Sequence, residues 1–129
     1  SEAYGAKLTN VMLTDGCRIQ NAEIVDAVIG LRSIIGKEVK IKSCVLMGAD
    51  YFETPDDKAE NLKLGRPDVG IGEGSFLERT IVDKNARIGK NVRIRALEQR
   101  EDEEHDNWVS QEGIVIIPKN AIIADNTII

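Results

Sequence analysis

Ile29-Gly30-Leu31-Arg32-Ser33-Ile34, Ile35-Gly36-Lys37-Glu38-Val39-Lys40 and Ile41-Lys42-Ser43-Cys44-Val45-Leu46, running on into Met47-Gly48, set the terms for the whole chain. Read in sixes, each block opens on a large aliphatic residue, often follows it with Gly, and carries a small or β-branched residue (Ser33, Val39, Val45) four positions later. A helix repeats its apolar face at three and four residues and a flat strand at two, so this period needs a chain that turns a corner once per block. Three blocks make one coil of a parallel β-helix. The aliphatic opener points into the prism, the small residue packs beside it, and Gly or Asn near the corner supplies a positive φ that other residues resist. Successive coils hydrogen-bond at about 4.8 Å, which stacks like positions in columns.

The openers run Leu8, Leu13, Ile19, Ile24, Ile29, Ile35, Ile41, Met47, Ile71, Leu77, Val82, Ile88, Ile94, Ile117, Ile123 and Ile129. They predict an all-β parallel β-helix of roughly five coils, a single domain over residues 1–129, interrupted twice. The first interruption, Ala49 to Gly70, contains Tyr51 and Phe52 and a stretch, Ala59 to Leu64, suited to a short helix with Thr54 or Asp56 as cap. The second, Arg95 to Gly113, carries an acidic run from Glu98 to Asp106 ahead of Trp108. Insertions loop out of a solenoid without breaking its stack, and rings too wide for the prism pack beneath them or against a partner. The series is already under way at Leu8, so the N-terminal end reads as cut from something larger, since a bare sheet edge would otherwise be exposed.

Composition narrows the function classes. Aromatics make up only 4% of 129 residues, as a narrow aliphatic prism requires. A net charge of −5 gives no general attraction to nucleic acid or an anionic membrane. Nothing reaches about 18 consecutive apolar residues, and Ser1 to Gly5 has no signal-peptide character, which points to an intracellular protein. Cys17 and Cys44 form no CxxC pair; Cys17 falls four after Leu13, where a small core residue belongs, so both read as core thiols.

Several apparent motifs dissolve into the period. Gly70-Ile71-Gly72-Glu73-Gly74-Ser75 looks like a phosphate-cradling loop, but its glycines fall at corners and the sixes continue through Leu77 and Val82 instead of entering a helix. Ser75 is then a core position. Hexapeptide β-helices often frame acyltransferases, which need a histidine as general base. Only His105 is available, inside the acidic run, so acyl transfer stands as a weaker alternative beside a purely structural oligomerisation module.

One constellation stands apart. Val82-Asp83-Lys84-Asn85-Ala86-Arg87 and Ile117-Pro118-Lys119-Asn120-Ala121-Ile122 share Lys-Asn-Ala at the same three positions. If the second insertion adds no turn, Lys84 and Lys119 stack about 5 Å apart on neighbouring coils, both pointing outward. Like charges in register repel, and an anion between them would reverse the sign. Asn85 and Asn120 would stack as a ladder beneath. Arg87 and Arg93 lie on the same coil and Arg95 opens the bridging loop, adding cations nearby.

The strings Leu46-Met47-Gly48-Ala49-Asp50-Tyr51-Phe52-Glu53-Thr54, Ile81-Val82-Asp83-Lys84-Asn85-Ala86-Arg87-Ile88-Gly89 and Gly113-Ile114-Val115-Ile116-Ile117-Pro118-Lys119-Asn120-Ala121 resemble the C-terminal domain of glucose-1-phosphate adenylyltransferase, or ADP-glucose pyrophosphorylase, of the plant and cyanobacterial type. The resemblance spans nearly the whole chain. It implies a left-handed β-helix that follows a catalytic domain joining ATP to glucose 1-phosphate, and that helps to build a homo- or heterotetramer. It also implies an anionic effector, with 3-phosphoglycerate as activator and phosphate as inhibitor. Carried over by motif, the effector lysines are Lys84 and Lys119. Arg87, and Lys63 and Arg66 in the first insertion, complete the candidate cations, although Leu64 stands where some members carry a further lysine. No nucleotide loop or Mg²⁺ carboxylate pair can be placed, so ATP and Mg²⁺ belong to a catalytic domain missing from this chain, and the domain itself needs no cofactor. The expected partners are that catalytic domain, other subunits and a small phosphorylated effector, in a bacterial cytoplasm or a plastid stroma, with neither nucleic acid nor membrane.

Overall fold

A computed structural model describes all 129 residues. Three walls of short strands enclose a continuous aliphatic core. The first wall is a six-stranded parallel sheet of β1 (Glu2–Tyr4), β3 (Arg18–Gln20), β5 (Ile34–Ile35), β7 (Gly70–Ile71), β10 (Arg87–Ile88) and β15 (Ile122–Ile123). The other two walls share three long strands that bend at a corner, β2 (Lys7–Leu13), β4 (Glu23–Ile29) and β6 (Lys40–Leu46). Beyond β6 they separate. β8 (Phe76–Glu78) and β11 (Arg93–Ile94) continue one wall, while β9 (Thr80–Val82) and β14 (Ile114–Ile117) continue the other.

The registers put the openers in columns. Ile19, Ile35, Ile71, Ile88 and Ile123 stack inside the first wall. Ile24, Ile41, Leu77 and Ile94 stack inside the second. Ile29, Leu46, Val82 and Ile117 stack inside the third, and every one of these side chains is buried. Leu8 and Leu13, on the first coil, have no rung above them and are only partly covered. Cys17, Cys44 and Ser75 fill small core positions, and burial pushes the Cys44 thiol up to about 11, so it stays an unreactive thiol.

One block is misaligned by the six-residue count. Leu46, 3% exposed, carries the third-wall column, and Met47, expected there, is 45% exposed. The small residue of that block is correspondingly Cys44, with Val45 turned outward. The step from second to third wall is five residues, as it is from Ile24 to Ile29 and from Leu77 to Val82.

Each corner repeats a left-handed residue from coil to coil. One column holds Asn10, Asp26, Ser43 and Arg79; another holds Asn21, Glu38, Asn91 and Asn126. Asn and Gly were expected, and Asn supplies many, but Arg32, Glu38 and Arg79 also adopt positive φ at these corners. Backbone hydrogen bonds between corners, such as Glu38 N–H to Asn21 O at 3.0 Å, impose the conformation against residue preference.

Helix α1 (Pro55–Leu64) leaves the stack between β6 and β7. Thr54 caps it: its hydroxyl accepts from Asp57 N–H at 3.1 Å while its own N–H donates to the Asp57 carboxylate at 2.8 Å, which holds that carboxyl below its ordinary value. Gly65, at φ +66°, closes the other end. Asn61 is the one buried residue of the helix, so no apolar stripe docks it. The second insertion forms an antiparallel arm, with β12 (Glu103–Glu104) pairing β13 (Val109–Gln111) and β13 pairing β14. Trp108 packs partly buried against the core, with His105 stacked on it at 4.2 Å.

The column assignment is testable by truncation. Leu46→Ala should cost about 3 kcal/mol in denaturant unfolding, as a buried leucine deletion does. Met47→Ala should stay within about 0.5 kcal/mol. The reverse order would restore the six-residue alignment.

Candidate functional site

The second insertion adds no turn to the stack. On one side Val82 pairs with Ile117, on the other Arg87 with Ile122, and the offset between partners is the same in both. The corner between them therefore runs in register, and Asn120 N–H donates to Lys84 O at 3.0 Å. Lys84 and Lys119 occupy equivalent places one rung apart, about 5 Å along the stack, with both side chains exposed. The stacking expected from the paired Lys-Asn-Ala blocks is the arrangement found.

The pair is not bare. Gly48, at φ +89°, turns the chain out of β6 where a Cβ would collide with the Leu31 carbonyl. Two residues on, Asp50 folds back over the corner. Its Oδ1 lies 3.2 Å from Lys84 Nζ, its Oδ2 accepts from Asn85 Nδ2 at 3.0 Å, and its backbone N–H donates to Asn85 Oδ1 at 2.9 Å. The Asn85 hydrogen bond first, then Lys84, with a smaller pull from Lys119, hold the Asp50 carboxyl below its usual range. Asn85 is thus spent on Asp50. The Asn85–Asn120 ladder does not form, because Asn85 is buried facing the insertion while Asn120 is exposed.

Arg87 lies on the neighbouring strand but turns away from the lysines. Its Nη1 meets Glu53 Oε2 at 3.1 Å, with side chains only 13% and 4% exposed, and also reaches Asn61 Oδ1 and Pro67 O. Asn61 completes its own set by donating to Glu53 and Asp68 and accepting from Arg66 Nε at 2.6 Å. Burial pushes the Glu53 carboxyl up, but hydrogen bonds from Asn61, Val69 N–H and Arg87 outweigh it and leave it below its ordinary value. Arg87 and Arg66 therefore strap α1 to the prism. Lys63 sits exposed in the last turn of α1 and forms no ion pair. The sequence-derived cations thus fall into two groups: Arg66 and Arg87 meet at Asn61 Oδ1 beneath the helix, and Lys84 and Lys119 lie together at the exposed corner. Asp50 and Glu53, thirty-odd positions upstream, are the partners that sequence reasoning missed; their one signal is the acidic residues of the Gly48–Thr54 string itself.

Elsewhere the chemistry is thin. His105 is exposed, 3.2 Å from Glu103. Ser75 Oγ donates to Gly89 O at 2.9 Å and accepts from Val92 N–H, as a buried structural hydroxyl. No cluster of three or more His, Cys, Asp or Glu side chains is placed to hold a metal. A groove of about 740 Å³ runs between α1 and the first wall, where Lys58, Arg66 and Lys90 are balanced by Asp68, Glu73 and Asp125.

The family model of the GLGC left-handed parallel β-helix domain matches residues 1–128. Over 131 aligned residues the chain is 40% identical to the glucose-1-phosphate adenylyltransferase small subunit, chloroplastic/amyloplastic, of Triticum aestivum. The alignment covers the whole chain and 28% of that relative, so the chain spans less than a third of its length.

The two arginine and lysine roles separate in stability. Arg87→Ala should cost about 3 kcal/mol, the penalty of leaving a buried carboxylate unpaired, whereas Lys84→Ala should change unfolding by under about 0.5 kcal/mol. Because the Glu53 carboxyl is depressed, its contribution is present above the ordinary value of 4.5 and is lost as pH falls through its folded value. The stability gap between the native chain and Glu53→Gln should therefore narrow as the solution is acidified from about pH 6 to about pH 3. A gap that widens on acidification would reverse the assigned sign.

Proposed function

The chain belongs to the GLGC left-handed parallel β-helix domain family, and from that premise we propose that it is the regulatory and assembly domain of a glucose-1-phosphate adenylyltransferase. The enzyme joins ATP to glucose 1-phosphate, giving ADP-glucose and pyrophosphate for glycogen or starch synthesis. ATP and Mg²⁺ are handled by a catalytic domain, and this prism, of about five coils with two insertions, presents surfaces to that domain and to other subunits. A subunit assembly is supported by the similarity to a protein described as a small subunit. The same relative's chloroplastic/amyloplastic description supports a plastid stroma, with a bacterial cytoplasm as the other compartment in which the reaction would serve. No helix is long and apolar enough to cross a membrane.

The observation that carries the regulatory half is the register that brings Lys84 and Lys119 together at one corner. Two ammonium groups one rung apart favour a compact, multiply charged anion such as phosphate or 3-phosphoglycerate, which bridges both cations. Arg87 serves the site indirectly, by fixing the insertion from which Asp50 projects, and Lys63 and Arg66 lie further out on that insertion as secondary attractors.

Thermal melts in inorganic phosphate at constant ionic strength test this. Phosphate at about ten times its Kd should raise the melting midpoint by roughly 4 °C, and the Lys84→Ala, Lys119→Ala chain should show no rise. No response at about 10 mM phosphate from either the native chain or an Asp50→Asn chain, in which Lys84 has lost its carboxylate partner, would leave a structural assembly module in its place.

A further inference from the structure

We propose that Asp50 is a built-in competitor for the Lys84–Lys119 pair, so that an incoming phosphate or carboxylate binds by displacing this side chain. The proposal rests on the anion-site reading above and adds how occupancy of that site is regulated.

The Asp50 carboxylate already makes the contacts that an anion would make. One oxygen faces the Lys84 ammonium at 3.2 Å and the other takes the Asn85 amide at 3.0 Å, while Lys119 pulls on the same charge from the next rung. Both members of the Asp50–Lys84 pair are 46% exposed, and a pair so open to water is held weakly enough to be exchanged for a ligand. The backbone bond from Asp50 N–H to Asn85 Oδ1 does not depend on the carboxylate, so the segment keeps an anchor when the side chain leaves. Three residues further on, the Glu53–Arg87 pair is buried and bound on several sides, which confines any release to Asp50, Tyr51 and Phe52. Tyr51 and Phe52 are substantially exposed, and the Arg18 guanidinium lies 4.5 Å over the Phe52 ring. The site thus has a yielding carboxylate next to a rigid one.

Isothermal titration of the 129-residue chain with inorganic phosphate at constant ionic strength tests the competition. Asp50→Asn, which keeps the shape and removes the charge, should tighten phosphate about two- to fivefold, the range of an exposed ion pair. Asp50→Ala should tighten it likewise and covers the case in which one variant folds poorly. Glu60→Gln, which removes the same charge from the exposed side of α1, should leave the affinity unchanged, separating local competition from net charge. Binding seen only after Asp50 is neutralised supports the competitor role most strongly. If the native chain binds phosphate through Lys84 and Lys119 and both Asp50 variants bind it equally or more weakly, the competitor role is overturned while the anion site stands. If neither the native chain nor the Asp50 variants bind phosphate, the anion site itself is lost and the competitor with it.

Discussion

Every feature of this molecule depends on the hydrogen-bonded register between successive coils. Each corner donates to the corner of the preceding coil, from Arg32 N–H to Asp15 O, Ala49 N–H to Leu31 O, Asn85 N–H to Gly48 O and Asn120 N–H to Lys84 O. That ladder is strong enough collectively to hold Arg32, Glu38 and Arg79 in a backbone region such side chains resist. It is also what lets two insertions leave the stack without disturbing it. β6 meets β8 and β9 across the α1 excursion, and β9 meets β14 across the acidic arm, with aliphatic columns intact on both sides.

The register turns residues distant in sequence into neighbours of one charge, and the first insertion supplies the opposite charge in two grades. Glu53 is buried and satisfied by Asn61, Val69 and Arg87, so it fastens α1 to the prism although the helix offers no apolar face. Asp50, on the same strand exit, meets Lys84 in the open. Burial decides the difference: a desolvated, multiply hydrogen-bonded carboxylate is costly to leave unpaired, whereas a hydrated one is readily replaced. A fixed strap and an exchangeable side chain thus lie within four residues of each other.

Much of this was legible in the period. The columns, the role of Ser75 and the buried thiols follow from counting sixes, and the Lys84–Lys119 pairing follows from two blocks that share Lys-Asn-Ala. Met47 was misassigned because Leu46 and Met47 are adjacent aliphatics and a uniform six was carried past a corner where the chain steps by five. The clue was present in Ile24 to Ile29 and Leu77 to Val82, the same corner of other coils. The Arg87 strap was not legible. It needs Glu53 and Asn61, on an insertion whose path back to the wall is set by tertiary contacts and by no repeat. For the same reason the Asn85 ladder failed: the repeat aligns Asn85 with Asn120, but Asp50 offers Asn85 a better-oriented carboxylate.

The central claim is that the register persists across the acidic arm and sets residues 84 and 119 one rung apart. Disulfide formation in the Lys84→Cys, Lys119→Cys chain measures it directly, since one rung of about 5 Å lies within the Cα separation that a disulfide spans. Cys17 and Cys44 are buried and stay out of the reaction under native conditions. The account predicts rapid loss of both new thiols to an intramolecular bond under mild oxidation, with no covalent dimer. Two thiols that remain titratable, or that join only between molecules, would place these positions on different rungs or walls and contradict it.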